Sequence, residues 1–119
     1  LVSVNPMPAV MGRVCYHPCE DACNRGILDQ AVNVRAVERF LGDEARKRAW
    51  AFEAPATRSG KKVLVVGAGP SGLSAAYHLA RFGHEVSIRE AGPMAGGMMR
   101  FGIPKYRLPR EVLDAAKAL

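Results

Sequence analysis

Residues 62–83 read KVLVVGAGPSGLSAAYHLARFG, and this stretch decides the fold. Val63, Leu64, Val65 and Val66 form an apolar run without polar alternation, which predicts a strand buried on both faces, as in a parallel sheet. Gly67 to Gly72 form a turn. Residues 71–82 repeat with helical period, and Pro70 sits near the helix start, where its fixed φ helps and its missing N–H costs little. Gly83 is the expected left-handed stop. Val86, Ser87 and Ile88 make a second strand. Strand, turn, helix and strand in this order predict a βαβ unit, the opening of a Rossmann-like α/β domain.

The turn itself, Gly67-Ala68-Gly69-Pro70-Ser71-Gly72, has the GxGxxG spacing. Alone that pattern is weak, but here a strand precedes it and a helix follows. Gly67 permits the tight turn, Gly69 lets backbone approach a pyrophosphate, and Gly72 lets helix and strand pack closely. The helix N-terminus offers free N–H groups and a positive dipole end. Glu90 closes the second strand, eighteen residues after Gly72. A carboxylate there suits the hydroxyls of an adenosine ribose and repels a 2′-phosphate, which favours FAD or NAD over NADP. After five intervening residues Gly96-Gly97 would bring a second backbone segment to the same cofactor, an arrangement that resembles flavoproteins with two dinucleotide sites, whose first glycine turn binds FAD.

Residues 53–60 (EAPATRSG) read as a linker between a helical, cysteine-containing domain at 1–54 and the dinucleotide-binding domain at 61–119. Residues 1–30 are punctuated by Pro6, Pro8, Gly12, Pro18 and Gly26, so only short helical turns are expected there. From residue 31 to 51 Val34, Val37, Leu41 and Ala45 recur at helical steps and predict the buried face of an amphipathic helix. Gly42 weakens it by roughly 1 kcal/mol and could mark a break. Residues 92–104 read as a glycine-rich loop, and a last helix is expected over 109–118. Two parallel strands do not stand alone, and the sequence starts on Leu1, so a longer parent protein is expected.

The composition agrees with a folded chain. Of 119 residues, 49% are hydrophobic and 24% charged, which excludes a largely disordered, collagen-like or disulfide-dense chain. No apolar run approaches the ~20 residues of a membrane span, and no secretory leader is visible. Residues 1–60 hold eight basic and seven acidic side chains, net +1; residues 61–119 hold nine and four, net +5. The basic residues are scattered, with no stripe or aromatic interleaving, so an anionic cofactor explains the excess better than nucleic acid.

All three cysteines, Cys15, Cys19 and Cys23, fall within nine residues. An odd clustered set is a poor disulfide framework and points to a metal or iron–sulfur site in a reducing, cytoplasmic setting. His17 could complete a zinc site, and Glu38 could be brought near by the following helix. His78, His84, Met94, Met98 and Met99 suggest structural roles, Arg107 and Arg110 a solvated face, and no nucleophile constellation or other catalytic residue is visible.

Residues 5–25 (NPMPAVMGRVCYHPCEDACNR), with 32–40 (VNVRAVERF), resemble the N-terminal iron–sulfur domain of the small subunit of NADPH-dependent glutamate synthase, a module shared with dihydropyrimidine dehydrogenase. Residues 62–109, including Phe101-Gly102-Ile103-Pro104, resemble the start of the same family's FAD domain. The resemblance implies two 4Fe–4S clusters, with Cys15 and Cys19 on one, Glu38 in place of a cysteine on that cluster, and Cys23 on the other. Met11, where many relatives carry cysteine, lies outside the implied ligand set. It further implies an oxidoreductase in which electrons pass from NADPH, bound outside these residues, through FAD and the clusters to a larger partner subunit. The ligand set within these residues is incomplete, so they are expected by themselves to be inactive and to hold no native pair of clusters. The alternative is a non-enzymatic module that docks a redox partner.

Overall fold

The computed structural model describes residues 3–50 and 55–116. Six helices, a 3₁₀ turn and two strands follow in the order α1 (Pro8–Val14), α2 (Pro18–Asp21), the 3₁₀ turn (Asn24–Ile27), α3 (Val34–Lys47), β1 (Lys62–Val66), α4 (Pro70–Arg81), β2 (Glu85–Arg89), α5 (Met98–Phe101) and α6 (Arg110–Ala116). Part of the linker at 53–60 and residues 117 and 118 of the span where a last helix is expected lie outside the described residues.

The strands pair in parallel, Lys62 opposite Glu85 through Val66 opposite Arg89, with α4 as the crossover. This is the βαβ unit of a partial Rossmann-like domain. Among the described residues its sheet is covered on one face. Val63, Val65 and Val86 are half-buried on the side where α4 packs, whereas Leu64 is 59% and Val66 83% exposed. The expectation of burial on both faces is therefore corrected: an apolar run reports what a strand tolerates, and among the described residues α4 covers a single side.

The core lies between α1 and the last two helices. Met7, Ala9 and Val10 pack with Met99, Leu108, Val112 and Leu113. Val10, Leu108 and Leu113 are fully buried, each contributing roughly 1.5–3 kcal/mol by removal from water. The first helix is thus seated on the segment that follows the glycine loop.

Helix α3 is continuous through Gly42, which is buried against α1. A Cβ at Gly42 would overlap the backbone of Ala9, and one at Gly12 would lie 2.7 Å from Arg39 Cβ. Reciprocal glycines set the approach of the two helices, and Arg13 fastens it with a bidentate ion pair to Asp43 (2.9 Å for both bonds). The expected break at Gly42 is therefore a contact point. The expected inward face is also corrected: Val34, Val37 and Leu41 are exposed, because backbone proximity at the glycines turns α3 onto the Gly42–Asp43 side. Asn33 caps the helix, its side chain accepting from the Ala36 N–H at 3.1 Å.

No helix among the described residues is long and apolar enough to cross a membrane.

Candidate functional site: a dinucleotide turn and a cysteine segment

The glycine turn is built almost wholly from backbone. Gly67 has φ +98, in the left-handed region, and its N–H donates to Arg89 O at 2.7 Å, tying the turn to the end of β2. Gly69 is the N-cap residue of α4 in extended conformation, φ −74 and ψ −176. No side chain caps the helix there, so its first-turn N–H groups face the turn without a side-chain acceptor. At Gly72 an added Cβ would overlap Gly67 O and touch Val65 at 3.4 Å, so the glycine is what lets α4 lie on β1. At Gly67 and Gly69 an added Cβ would meet nothing within 4 Å. The space above these two is a cradle that any side chain would occupy. Ala68 is buried, Pro70 occupies the first helical position, and Ser71 is exposed.

Glu90 stands at the end of β2 and grips the turn. Its carboxylate accepts the Gly92 N–H at 2.8 Å and the Ala68 N–H at 2.6 Å. These amides, Gly92 foremost and then Ala68, hold the carboxyl below the usual carboxylate range. The group is ionised at neutral pH and carries an anion beside the turn.

The second glycine pair reaches the first. Gly96 (φ +125) donates its N–H to Ala68 O at 2.8 Å, and a Cβ at Gly97 (φ +48) would lie 2.9 Å from Gly69 Cα. Gly67, Ala68, Gly69, Gly72, Glu90, Gly96 and Gly97 are thus gathered in one place. The expected loop over 92–104 contains one helical turn, α5.

The cysteine segment is of another kind. Cys15 caps the C-terminus of α1, and its sulfur accepts the His17 N–H at 3.3 Å. His17 holds a left-handed backbone (φ 49), and Pro18 then opens α2, so the three cysteines do not share a helix face. Cys19 is exposed. Cys23 precedes the 3₁₀ turn, and backbone N–H groups of Val32, then Arg25 and Gly26, lower its thiol pKa. Glu38, half-buried on α3, accepts from Asn5 Nδ2 at 2.5 Å. His17 Nδ1 is buried without a hydrogen-bond partner, 3.5 Å from Glu20 Oε2. Thiols served by amide N–H donors suit the ligand chemistry of an iron–sulfur cluster. Among the described residues, however, no three His, Cys, Asp or Glu side chains converge as metal ligands, so Cys15, Cys19, Cys23 and Glu38 are not brought together.

Of the two arginines expected on a solvated face, Arg107 is exposed and Arg110 is half-buried. Arg110 donates to the carbonyls of Ile103 (2.9 Å), Met99 (3.1 Å) and Leu108 (3.3 Å). Arg107 spans to the cysteine segment, donating to Val14 O at 3.4 Å with its guanidinium 5.4 Å from the Tyr16 ring centroid. Arg100 is buried beside the glycine pair. The basic, scattered pattern gave no signal for these contacts, since they depend on carbonyls that only the tertiary fold exposes.

Residues 1–50 match the family described as dihydropyrimidine dehydrogenase domain II, 4Fe–4S cluster, and residues 65–114 match the NAD(P)-binding Rossmann-like domain. The chain is 45% identical to the NADP(+)-dependent formate dehydrogenase subunit beta of Moorella thermoacetica, over 95% of this chain and 20% of that protein. It is 46% identical to the NADPH-Fe(3+) oxidoreductase subunit beta of Geobacter sulfurreducens, over 92% of this chain and 17% of the other. It is 38% identical to the glutamate synthase [NADPH] small chain of Bacillus subtilis, over 96% and 23%. The chain spans about a fifth of the length of these relatives. This chain is thus similar to a 4Fe–4S domain over residues 1–50 and to a Rossmann-like domain over residues 65–114, and over nearly its whole length to a glutamate synthase small chain and to other oxidoreductase subunits.

Proposed function

We propose that these residues form the junction of an NADPH-dependent, FAD- and iron–sulfur-containing oxidoreductase, with a cysteine-bearing helical unit at 1–54 and the start of an FAD-binding unit at 61–119. The observation that carries this reading is the open cradle above Gly67 and Gly69 with the ionised Glu90 beside it. The pyrophosphate of FAD would lie over Gly67-Ala68-Gly69-Pro70-Ser71-Gly72, at the N-terminus of α4. Glu90 would accept from the adenosine ribose hydroxyls, and its charge opposes a 2′-phosphate. Gly96 and Gly97 would close the cradle from the far side.

FAD, when bound, turns a two-electron donor into single-electron steps. The residues here bind and orient its ADP half; NADPH would bind outside them. Cys15, Cys19 and Glu38 would ligate one 4Fe–4S cluster and Cys23 a second, the remaining ligands coming from elsewhere. Among the described residues these side chains do not converge on one point. A larger glutamate synthase-type or other redox subunit would receive the electrons, in the cytoplasm, with neither nucleic acid nor membrane as partner.

The test is the visible spectrum of the whole protein purified without oxygen, with identification of the released nucleotide and iron analysis. Flavin bands, released FAD and a broad shoulder bleached by dithionite are expected. Release of NADP, or a protein that takes up no flavin, contradicts the assignment of this turn.

A further inference from the structure

Arg100 is the buried charged side chain among the described residues, 8% exposed, and nothing in the glycine motif calls for it. It emerges from α5 directly behind the second glycine pair. Its Nε donates to Ala95 O at 2.8 Å, and its Nη2 donates to Asp114 on α6. A Cβ at Gly96 would lie 3.0 Å from Arg100 Cβ, 3.4 Å from Arg100 Nε and 3.1 Å from Leu113 Cδ2. On its other side the Gly96 N–H holds Ala68 O, and Gly97 abuts Gly69. The segment 95–97 is therefore pinned between the guanidinium and the dinucleotide turn.

A buried guanidinium is costly unless its donors are satisfied, so its position is tightly determined once Ala95 O and Asp114 receive them. We infer that Arg100, held by Asp114, is a positioning residue of the dinucleotide site: it presses the Gly96–Gly97 backbone onto Ala68 and Gly69 and so sets the width of the cradle. The inference rests on the proposed FAD reading. Leu113, fully buried on α6, lies beside the same glycine.

The experiment uses the whole protein and its Arg100→Met, Arg100→Lys and Asp114→Asn variants. Two quantities are read: the Kd for FAD added to the deflavinated protein, and amide hydrogen exchange over 94–99. Displacing a site by about an ångström costs up to ~100-fold in function, so Arg100→Met should weaken FAD by at least about tenfold. Its 94–99 amides should exchange faster, while those of β1 and β2 keep their protection. Asp114→Asn, a milder change at a half-exposed carboxylate, should give about a threefold loss, and combined with Arg100→Met should add nothing further. Arg100→Lys should not restore binding, because one ammonium cannot reproduce the two-sided fork. If the wild type binds FAD and all three variants bind it within twofold, the positioning role is overturned while the site reading stands. If the wild type takes up no FAD, both fall.

Discussion

The glycine turn and the cysteine segment are both candidate cofactor sites of similar length, yet one is assembled and the other is not. The turn is made of main chain. Its tools are a left-handed Gly67, the close approach at Gly72 and Gly97, and amide donors on Glu90. Each is fixed by a strand, a turn and a helix adjacent in sequence, so local folding completes the site. The cysteine segment depends on side chains converging from separate turns. Cys15, Cys19 and Cys23 lie at the C-terminal cap of α1, on α2 and ahead of a 3₁₀ turn, and Glu38 on α3. Backbone-built sites are preorganised by secondary structure, whereas a ligand-built site is drawn together by the group it holds. The same division appears in packing: β1, α4 and β2 follow from local sequence, while α1 and α3 meet through Gly12 and Gly42, a purely tertiary device.

Breaking the turn at its tightest contact should produce the largest effect. Gly72→Ala places a methyl group on Gly67 O, so α4 must leave β1. Destabilisation of about 3 kcal/mol is expected in denaturant melts of the whole protein, with loss of flavin. Unchanged stability would mean that the close approach is not required.

The counterpart in the helical half is Gly42→Ala. Helix propensity alone predicts a gain of roughly 1 kcal/mol. The overlap with Ala9 predicts the opposite sign, a net loss of about 2 kcal/mol as α1 and α3 separate. A stabilised variant would show that α3 packs as its apolar periodicity suggests and would erase the contrast between the regions.

A smaller effect is expected at Glu90. Glu90→Gln keeps the shape but loses the charge, so FAD should weaken about tenfold while discrimination against a 2′-phosphate relaxes. The amides of Gly92 and Ala68 depress the folded-state pKa of this carboxyl. Its contribution to stability is therefore complete above the ordinary carboxylate range and is lost as pH falls through the depressed value. The stability difference between wild type and Glu90→Gln should accordingly shrink below that range. A difference that grows on acidification would contradict the hydrogen bonding described.

Much of the dinucleotide half was legible in sequence because its signals are local. The run at 63–66, the glycines at 67, 69 and 72, and Glu90 after the second strand all fall within one βαβ unit. What escaped the reading was tertiary. Leu64 and Val66 signal burial through composition, yet coverage depends on which elements are packed against them. Val34, Val37 and Leu41 mark an apolar stripe, but two glycines turned α3 to a different side. Arg100 and Arg110 read as two among many scattered bases, because the carbonyls and carboxylate that receive them come from other elements. Of the cysteine segment, residue types and spacing were legible, and assembly was not.

If the cradle over the glycine turn is a cofactor surface, a side chain placed in it must compete with the cofactor. Gly69→Ala tests it most directly, since Gly69 has an extended backbone that alanine adopts freely and an added methyl group meets no protein atom within 4 Å. Calorimetric titration of the deflavinated whole protein with FAD, alongside its thermal midpoint, separates fold from site. An unfolding midpoint within about 2 °C of wild type and FAD affinity reduced by at least about tenfold are expected. Wild-type FAD affinity in Gly69→Ala would contradict a cofactor surface there.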